Sequence, residues 1–183
     1  FAQIDSTEKI IQKDEVVIAV NKFEGLKSNA AQQSNVITSN DLRRMNAQSS
    51  ADVLTMSGQV FVQKSQQGGG SPMLRGFEAS RVLLVVDGVR MNNILYRAGH
   101  VQNAITVDNN MVDRIEVLYG PSSTVFGSDA LGGVVHFRTK SPILSGEKKF
   151  LSKGNAFFRY GSVNNEMTGH MDISLAGKKF GSI

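Results

Sequence analysis

Hydrophobic and polar positions follow two periods along the chain, and these predict short strands alternating with short helices. β-Branched or alternating segments favour strands, and they lie at residues 14–20, 34–38, 59–64, 82–86, 113–120 and 134–139. Two amphipathic helices are predicted between the second and third strand, one capped by Ser39 or Asn40 and one capped by Ser49 or Ser50. The segment 65–71 is predicted to be a loop, and Asp87-Gly88 is a hairpin signal.

The pattern changes after Pro142, where a charged connector leads into two longer alternating segments. In the second segment Met171, Ile173 and Leu175 share one face, while polar residues occupy the other. Strands of about 9–11 residues with this period are typical of transmembrane barrels. A soluble meander has the same pattern, so the residues alone leave both interpretations open.

Composition narrows the class of protein. The 183 residues carry a net charge of +4 and are 40% hydrophobic and 20% charged, which is enough for a folded core. The arginines are scattered, so the basic footprint of a nucleic-acid-binding protein is absent. The chain has no Cys, which excludes disulfides and Cys-ligated zinc, and no apolar run nears the ~20 residues of a membrane helix. Because the first residue is Phe, we expect a processed or excised piece of a longer protein.

The stretch "LYGPSSTVFGSDALGGVVHF", residues 118–137, combines glycines and small hydroxyl residues between two apolar runs. It does not match a phosphate-binding loop, because Ser128 stands where that motif needs Lys. We expect a structural turn in which glycines provide positive φ or close approach, and a short helix that opens at Pro121. No arrangement of side chains suggests catalysis, so we do not expect an enzyme.

The order of segments resembles the N-terminal plug domain of TonB-dependent outer-membrane receptors, followed by the first hairpin of their barrel. The matching motifs are R-G-F, D-G-V-R, I-E-V-x-x-G-P and G-S-D-A-L-G-G, in this order. The resemblance implies an α+β plug, a mixed sheet of about four strands with short helices, lodged in a 22-stranded barrel. It divides the chain into a tail and linker at 1–33, a plug at 34–142, and a connector with a truncated barrel hairpin at 143–183.

The resemblance also implies a function and its partners. The plug would gate energy-coupled uptake of a scarce nutrient, foremost an iron chelate or haem, with cobalamin or an oligosaccharide as further options. Its partners would be the periplasmic coupling protein TonB, the barrel of the same protein and the small nutrient, but no nucleic acid and no resident cofactor. A soluble α+β binding or adhesion domain without a transport role is the alternative.

The segment 14–20 resembles the family's Ton box, which would lie in the periplasm and bind TonB by adding a strand to its sheet. Its residues are Asp14, Glu15, Val16, Val17, Ile18, Ala19 and Val20. By propensity alone this segment is an ordinary first strand of the plug. Its position between a polar tail and the plug favours the coupling role.

Two polar loops match those that contact substrate in the family. Their candidate residues are Gln66, Gln67, Asn93, Tyr96, Arg97 and His100. Haem-uptake members can place an axial His in such a loop, which makes His100 a candidate haem ligand. A solvated loop side chain is the alternative for each of them.

Three residues are candidates for contact between plug and barrel. Arg75 resembles a plug arginine of the family that faces acidic residues of the barrel wall. A guanidinium pairs bidentately with carboxylates, so this arginine would lock the plug in place. The family often has a second basic residue before its G-P, and Tyr119 stands there instead. Arg114 and Glu116 lie nearby, and a surface or cross-strand pair is the alternative for these two.

Overall fold

The computed structural model describes residues 16–17, 25–26, 32–65, 69–78, 81–91, 107–142, 145, 150–162, 165–177 and 181–182. In chain order the elements are β1 (Val16–Val17), β2 (Gly25–Leu26), β3 (Ser34–Ile37), α1 (Ser39–Met45), α2 (Ser50–Met56), β4 (Phe61–Ser65), β5 (Gly69–Met73), β6 (Val82–Val86), β7 (Val89–Arg90), β8 (Val112–Tyr119), α3 (Ser123–Phe126), β9 (Gly133–Thr139), β10 (Phe150–Gly161), β11 (Glu166–Gly177) and β12 (Gly181–Ser182).

A five-stranded mixed sheet in the order β3-β8-β9-β6-β7 forms the centre of the fold, and the expected α+β class is confirmed. Strands β6 and β9 are parallel, and the other neighbours are antiparallel. The fifth strand, β7, follows the predicted hairpin turn, where Asp87 (φ 46°) and Gly88 (φ 84°) both have the positive φ of a type I′ turn.

Apolar side chains cover both faces of this sheet, which explains the unbroken apolar runs in its central strands. On one face Ile115, Val117 and Phe137 pack with Leu54 of α2 in the larger core cluster. On the other face Leu118 packs with Phe126 of α3 in a smaller cluster.

Both predicted helices are present, with one correction at a cap. Helix α1 begins after Thr38, not after Ser39 or Asn40, because Thr38 and Asp41 form a reciprocal capping box. Hydrogen bonds from the hydroxyl and amide of Thr38 hold the pKa of Asp41 below its ordinary value. Helix α2 is capped by Ser49, one of the two residues expected.

The predicted loop at 65–71 was wrong in its second half. Residues Gly69–Met73 form β5, which pairs antiparallel with β4. The ribbon packs tightly on α2, since a Cβ at Gly70 would lie 2.8 Å from Val62 Cγ1 and 2.9 Å from Ala51 Cβ. Glycine is therefore required by close packing at a position where strand propensity gives no signal.

The glycine-rich stretch is a structural turn, as expected. Gly120 and Gly127 have φ values of 92° and 94°, which glycine adopts without a steric penalty. A Cβ at Gly133 would lie 2.4 Å from the Leu118 carbonyl oxygen, so only glycine lets β9 start beside β8. The prediction that Pro121 opens the helix was wrong: α3 begins at Ser123, after Ser122 as N-cap.

The C-terminal part is a hairpin of two 12-residue strands, β10 and β11, with β12 added at its edge. Its outer face carries exposed apolar residues, among them Phe158, Met167 and Met171 at 69%, 70% and 72% exposure. The opposite face carries mostly polar residues, among them Asn155, Arg159 and Asp172, and it borders the sheet domain. Among the described helices, none has the length and apolarity needed to cross a membrane.

Candidate plug–barrel contact site

Arg75 lies at the tip of a tight turn, and its exposed side chain lies on the surface of the sheet domain. Leu74 and Phe77 exchange two backbone hydrogen bonds of 2.9 Å, and Arg75 between them has a φ of 50°. Its Cζ lies 5.0 Å from the centre of the Tyr119 ring, and its Nη2 donates to Gln33 Oε1. The turn and the ring hold an exposed guanidinium in place, which can bind a carboxylate.

Tyr119 is itself well fixed, although it stands where the family often has a basic residue. Its ring is buried, and its hydroxyl lies 3.0 Å from the backbone oxygen of Gln59. Burial raises the pKa of the Tyr119 phenol, and the charge of Arg75 partly opposes that rise. A neutral ring therefore supports Arg75 by stacking where a second cation would repel it.

Glu116 and Arg114 form an ion pair inside the sheet domain. Arg114 Nε donates to Glu116 Oε1 at 2.7 Å, and the Glu116 side chain is fully buried. His136 on β9 joins this cluster, with its Nδ1 3.5 Å from Glu116 Oε2, while its Nε2 accepts from the Gly88 amide at 3.1 Å. The second contact fixes the orientation of the ring, with Nδ1 on the side of the carboxylate.

These contacts give Glu116 an internal role in the domain, while the Arg114 side chain remains 24% exposed. A buried carboxylate needs such partners to remain charged. Contact of Arg75, Arg114 or Glu116 with a barrel wall stays a prediction.

The hairpin reaches the sheet domain through Arg159, a residue that the sequence did not single out. Its Nη1 donates to the carbonyl oxygen of Ala47 at 2.9 Å and approaches that of Asn46 at 3.4 Å. Its Nη2 donates to Glu166 Oε1 at 2.6 Å, across the hairpin. The guanidinium thereby joins the end of α1 to both strands of the hairpin.

A second polar contact joins the two parts at the end of β9. Lys140 Nζ lies 3.4 Å from Asp172 Oδ2, and Asp172 also accepts from Asn155 Nδ2 at 2.9 Å. His170 Nε2 lies 3.1 Å from the same carboxylate, and its ring packs on Phe157 at 5.4 Å between centroids. Asp172 therefore gathers polar groups from both strands and from the sheet domain.

Between these two contacts lies a cleft of about 590 Å³, bordered by α1, the turn before β8 and the polar face of the hairpin. Its charged lining comes from Arg43, Lys140, Arg159 and Asp172. Residues alternate in β10, so Phe157 and Arg159 lie on the face opposite to Ala156, Phe158 and Tyr160, and this alternation is the sequence signal for these contacts. The alternation does not indicate which atoms Arg159 contacts, because every residue has a backbone carbonyl.

Most other predicted site residues lie outside the described residues. This holds for the loop candidates Gln66, Gln67, Asn93, Tyr96, Arg97 and His100, and for Asp14, Glu15, Ile18, Ala19 and Val20 of the Ton-box-like segment. Val16 and Val17 form β1, which pairs antiparallel with Gly25 and Leu26 of β2. Among the described residues, no group of three or more His, Asp or Glu could hold a metal ion.

Comparison with known proteins supports the resemblance. The family described as TonB-dependent Receptor Plug Domain matches residues 26–134, which is more than half of the chain. The chain belongs to this family. The match includes β3, β6, β7 and β8 of the central sheet, the described helices α1 to α3 and the Arg75 turn, and it ends at the start of β9.

Individual relatives agree with this assignment. The chain is 32% identical over 137 residues to the vitamin B12 transporter BtuB of Vibrio vulnificus, covering 72% of this chain and 21% of that protein. It is structurally similar to the pyoverdine receptor FpvA of Pseudomonas aeruginosa, with a TM-score of 0.70, 21% identity and coverage of 87% and 22%. It is also similar to the alcaligin receptor FauA of Bordetella pertussis, with a TM-score of 0.64, 18% identity and coverage of 87% and 26%.

These solved structures establish the fold alone: an α+β sheet domain followed by hairpin strands, as the sequence predicted. The chain spans about a fifth of the length of the curated relatives it matches.

Proposed function

We propose that this chain is the plug of an outer-membrane receptor and gates the energy-coupled uptake of a small nutrient. The observation that carries the proposal is the two-sided hairpin. Its outer face is apolar, as a lipid-facing barrel wall must be, and its polar face binds the plug through Arg159. A soluble binding or adhesion domain would expose this apolar face to water.

The N-terminus of the plug would lie in the periplasm, where residues 14–20 would bind TonB as an added strand. Strand β1 supports this, because the described residues Val16 and Val17 are extended and pair with Leu26 and Gly25 of β2. An extended segment of this kind can exchange its main-chain hydrogen bonds for those of a partner sheet.

The proposed nutrient is an iron chelate or haem. Similarity to receptors named for pyoverdine and alcaligin supports a chelate, and similarity to a vitamin B12 transporter adds cobalamin to the compounds to be tested. The loops around Gln66 and around Arg97 and His100 would contact it. His100 is the candidate axial ligand if the nutrient is haem.

The proposal is tested with the full-length receptor in cells that lack their own uptake systems. Cells receive iron-labelled pyoverdine and alcaligin, haem, or labelled vitamin B12, each with and without a functional TonB. One compound should accumulate only when both receptor and TonB are present. Recovery of the full-length protein in the soluble fraction, or accumulation that ignores TonB, would favour the soluble binding domain or a passive pore instead.

A further inference from the structure

The backbone carbonyl of Ala47 lies where three separate parts of the chain meet. It follows α1, and it accepts hydrogen bonds from Asn109 Nδ2 at 3.3 Å and from Arg159 Nη1 at 2.9 Å. Asn109 belongs to the turn that leads into β8, whereas Arg159 belongs to the hairpin. One acceptor thus holds both the turn and the hairpin on the junction between the first two helices.

The contact with the turn is fixed on both sides of the Asn109 amide. Its Oδ1 lies 2.8 Å from the hydroxyl of Ser50, while its Nδ2 binds Ala47. The buried Ser50 hydroxyl also contacts the carbonyl of Val107, and Val107 packs against the larger core cluster. The turn at 107–111 therefore cannot shift without loosening the start of α2.

The contact with the hairpin depends on the shape of a guanidinium. One nitrogen of Arg159 serves the plug carbonyls, and the other serves Glu166 at 2.6 Å and Thr168 at 3.3 Å. Only 17% of the side chain is exposed, so little water can replace these partners. An ammonium group has the same charge but lacks the planar fork that reaches both sets of acceptors.

We propose that residues 46–50, the α1–α2 junction, are the surface by which the plug docks on the barrel wall, and that Arg159 is the wall residue that recognises it. The Ala47 carbonyl couples this docking to the turn at 107–111. In sequence, that turn follows the loop predicted to contact the nutrient. The inference rests on the proposed function, since the hairpin is a barrel wall only in a receptor.

The test measures hydrogen exchange in the purified full-length receptor without any nutrient. In Arg159→Lys, the amides of residues 46–57 should exchange about tenfold faster than in wild type, which corresponds to about 1.4 kcal/mol. Arg43→Gln removes a cation of the same cleft and is the matched control, with exchange unchanged. Glu166→Gln keeps the hairpin strands but weakens the anchor of Arg159, so it should give a smaller increase.

A double variant tests the coupling through Ala47. Either Arg159→Leu or Asn109→Ala removes one of the two donors described for this carbonyl, whereas both together remove both donors. Because an unpaired acceptor is costly, the combined increase in exchange should exceed the product of the separate increases. Amides of β8 and β9 serve as a folding check, and they should keep their protection in every variant.

Exchange in Arg159→Lys and Glu166→Gln that matches wild type would overturn the docking surface. The coupling would be overturned if the increase in exchange rate of the double variant equals the product of the increases in the two single variants. If wild-type receptor imports none of the compounds tested, the proposed function fails while the exchange result still decides the contact.

Discussion

A substitution at Gly133 tests whether the close approach of β8 and β9 requires glycine, because this residue lies where β9 begins beside β8. It has a φ of 154°, and a Cβ there would lie 2.4 Å from the carbonyl oxygen of Leu118 and 2.6 Å from Leu74 Cδ1. Leu118 belongs to β8, which lies between β3 and β9 in the sheet, and its neighbour Tyr119 pairs directly with Gly133. The carbonyl therefore cannot retreat without disturbing the hydrogen bonds between these two strands.

Two costs combine in Gly133→Ala. Inserting a methyl group into a packed site costs about 1–3 kcal/mol. Holding a residue with a side chain at this φ costs of order 1–3 kcal/mol more. We expect a loss of about 3 kcal/mol or more, which is a large part of the ~5–15 kcal/mol that stabilises an ordinary domain.

Urea unfolding followed by circular dichroism measures this loss, and two other glycines separate its causes. Gly120 has a φ of 92° but open space around its Cβ position, so Gly120→Ala should show the backbone cost alone. Gly169 in the hairpin has open space and no positive φ, so Gly169→Ala should change stability little. If Gly133→Ala costs no more than Gly120→Ala at a constant m value, the close approach of β8 and β9 is not what requires glycine.

Three further outcomes are expected. Val17→Pro removes an amide donor from β1, so import by the full-length receptor should fail while nutrient binding at the outer face survives; unchanged import would exclude a coupling role for this strand. Glu116→Leu leaves Arg114 without its partner and should cost about 3 kcal/mol in urea unfolding, and a cost below about 1 kcal/mol would contradict the buried pair. The raised pKa of Tyr119 means that the folded state holds the phenol proton more tightly. The protonated phenol therefore stabilises the folded state fully below its ordinary pKa near 10, and this stabilisation is lost as the pH rises through the pKa of the folded state. Tyr119→Phe removes the titrating group, so the free energy of unfolding should decline less steeply above pH 10.

Sequence patterns predicted the central strands well because local chemistry and burial agree there. Residues 82–86 form one unbroken apolar run, and they are covered on both faces of the sheet. The Asp87-Gly88 turn is equally local, since both residues must adopt positive φ and both are among those that tolerate it.

Patterns failed where a distant partner decides the structure. Strand β5 reads Gly-Gly-Ser-Pro-Met, which has little strand propensity, and it exists because β4 pairs with it and α2 packs on it. The N-cap of α1 is Thr38 because its hydroxyl meets Asp41 three residues later, a box that neither Ser39 nor Asn40 makes.

Sequence patterns singled out Arg75 of the candidate site but not Arg159, and the type of atom that each residue contacts explains the difference. Arg75 lies in a motif that marks it, and its turn and its stacking on Tyr119 give that motif a structural reason. Arg159 lies in a strand whose alternation predicts only which way it faces. Its acceptors are backbone carbonyls some 110 residues earlier, and carbonyls are the same in every residue.

Contacts inside the sheet domain differ in type from the contacts between this domain and the hairpin, and the difference determines which parts can separate. Among the described residues, both core clusters are built from the sheet domain, and the hairpin contributes none of their members. The hairpin is joined to that domain by polar contacts such as Arg159 with Ala47 and Lys140 with Asp172, and partly exposed contacts of this kind each contribute about 1 kcal/mol. The apolar core of the described residues therefore lies within the sheet domain, and polar bonds contribute to the attachment of this domain to the hairpin. Under the proposed function, a pull on the N-terminal ribbon would break such polar bonds and leave the apolar core intact.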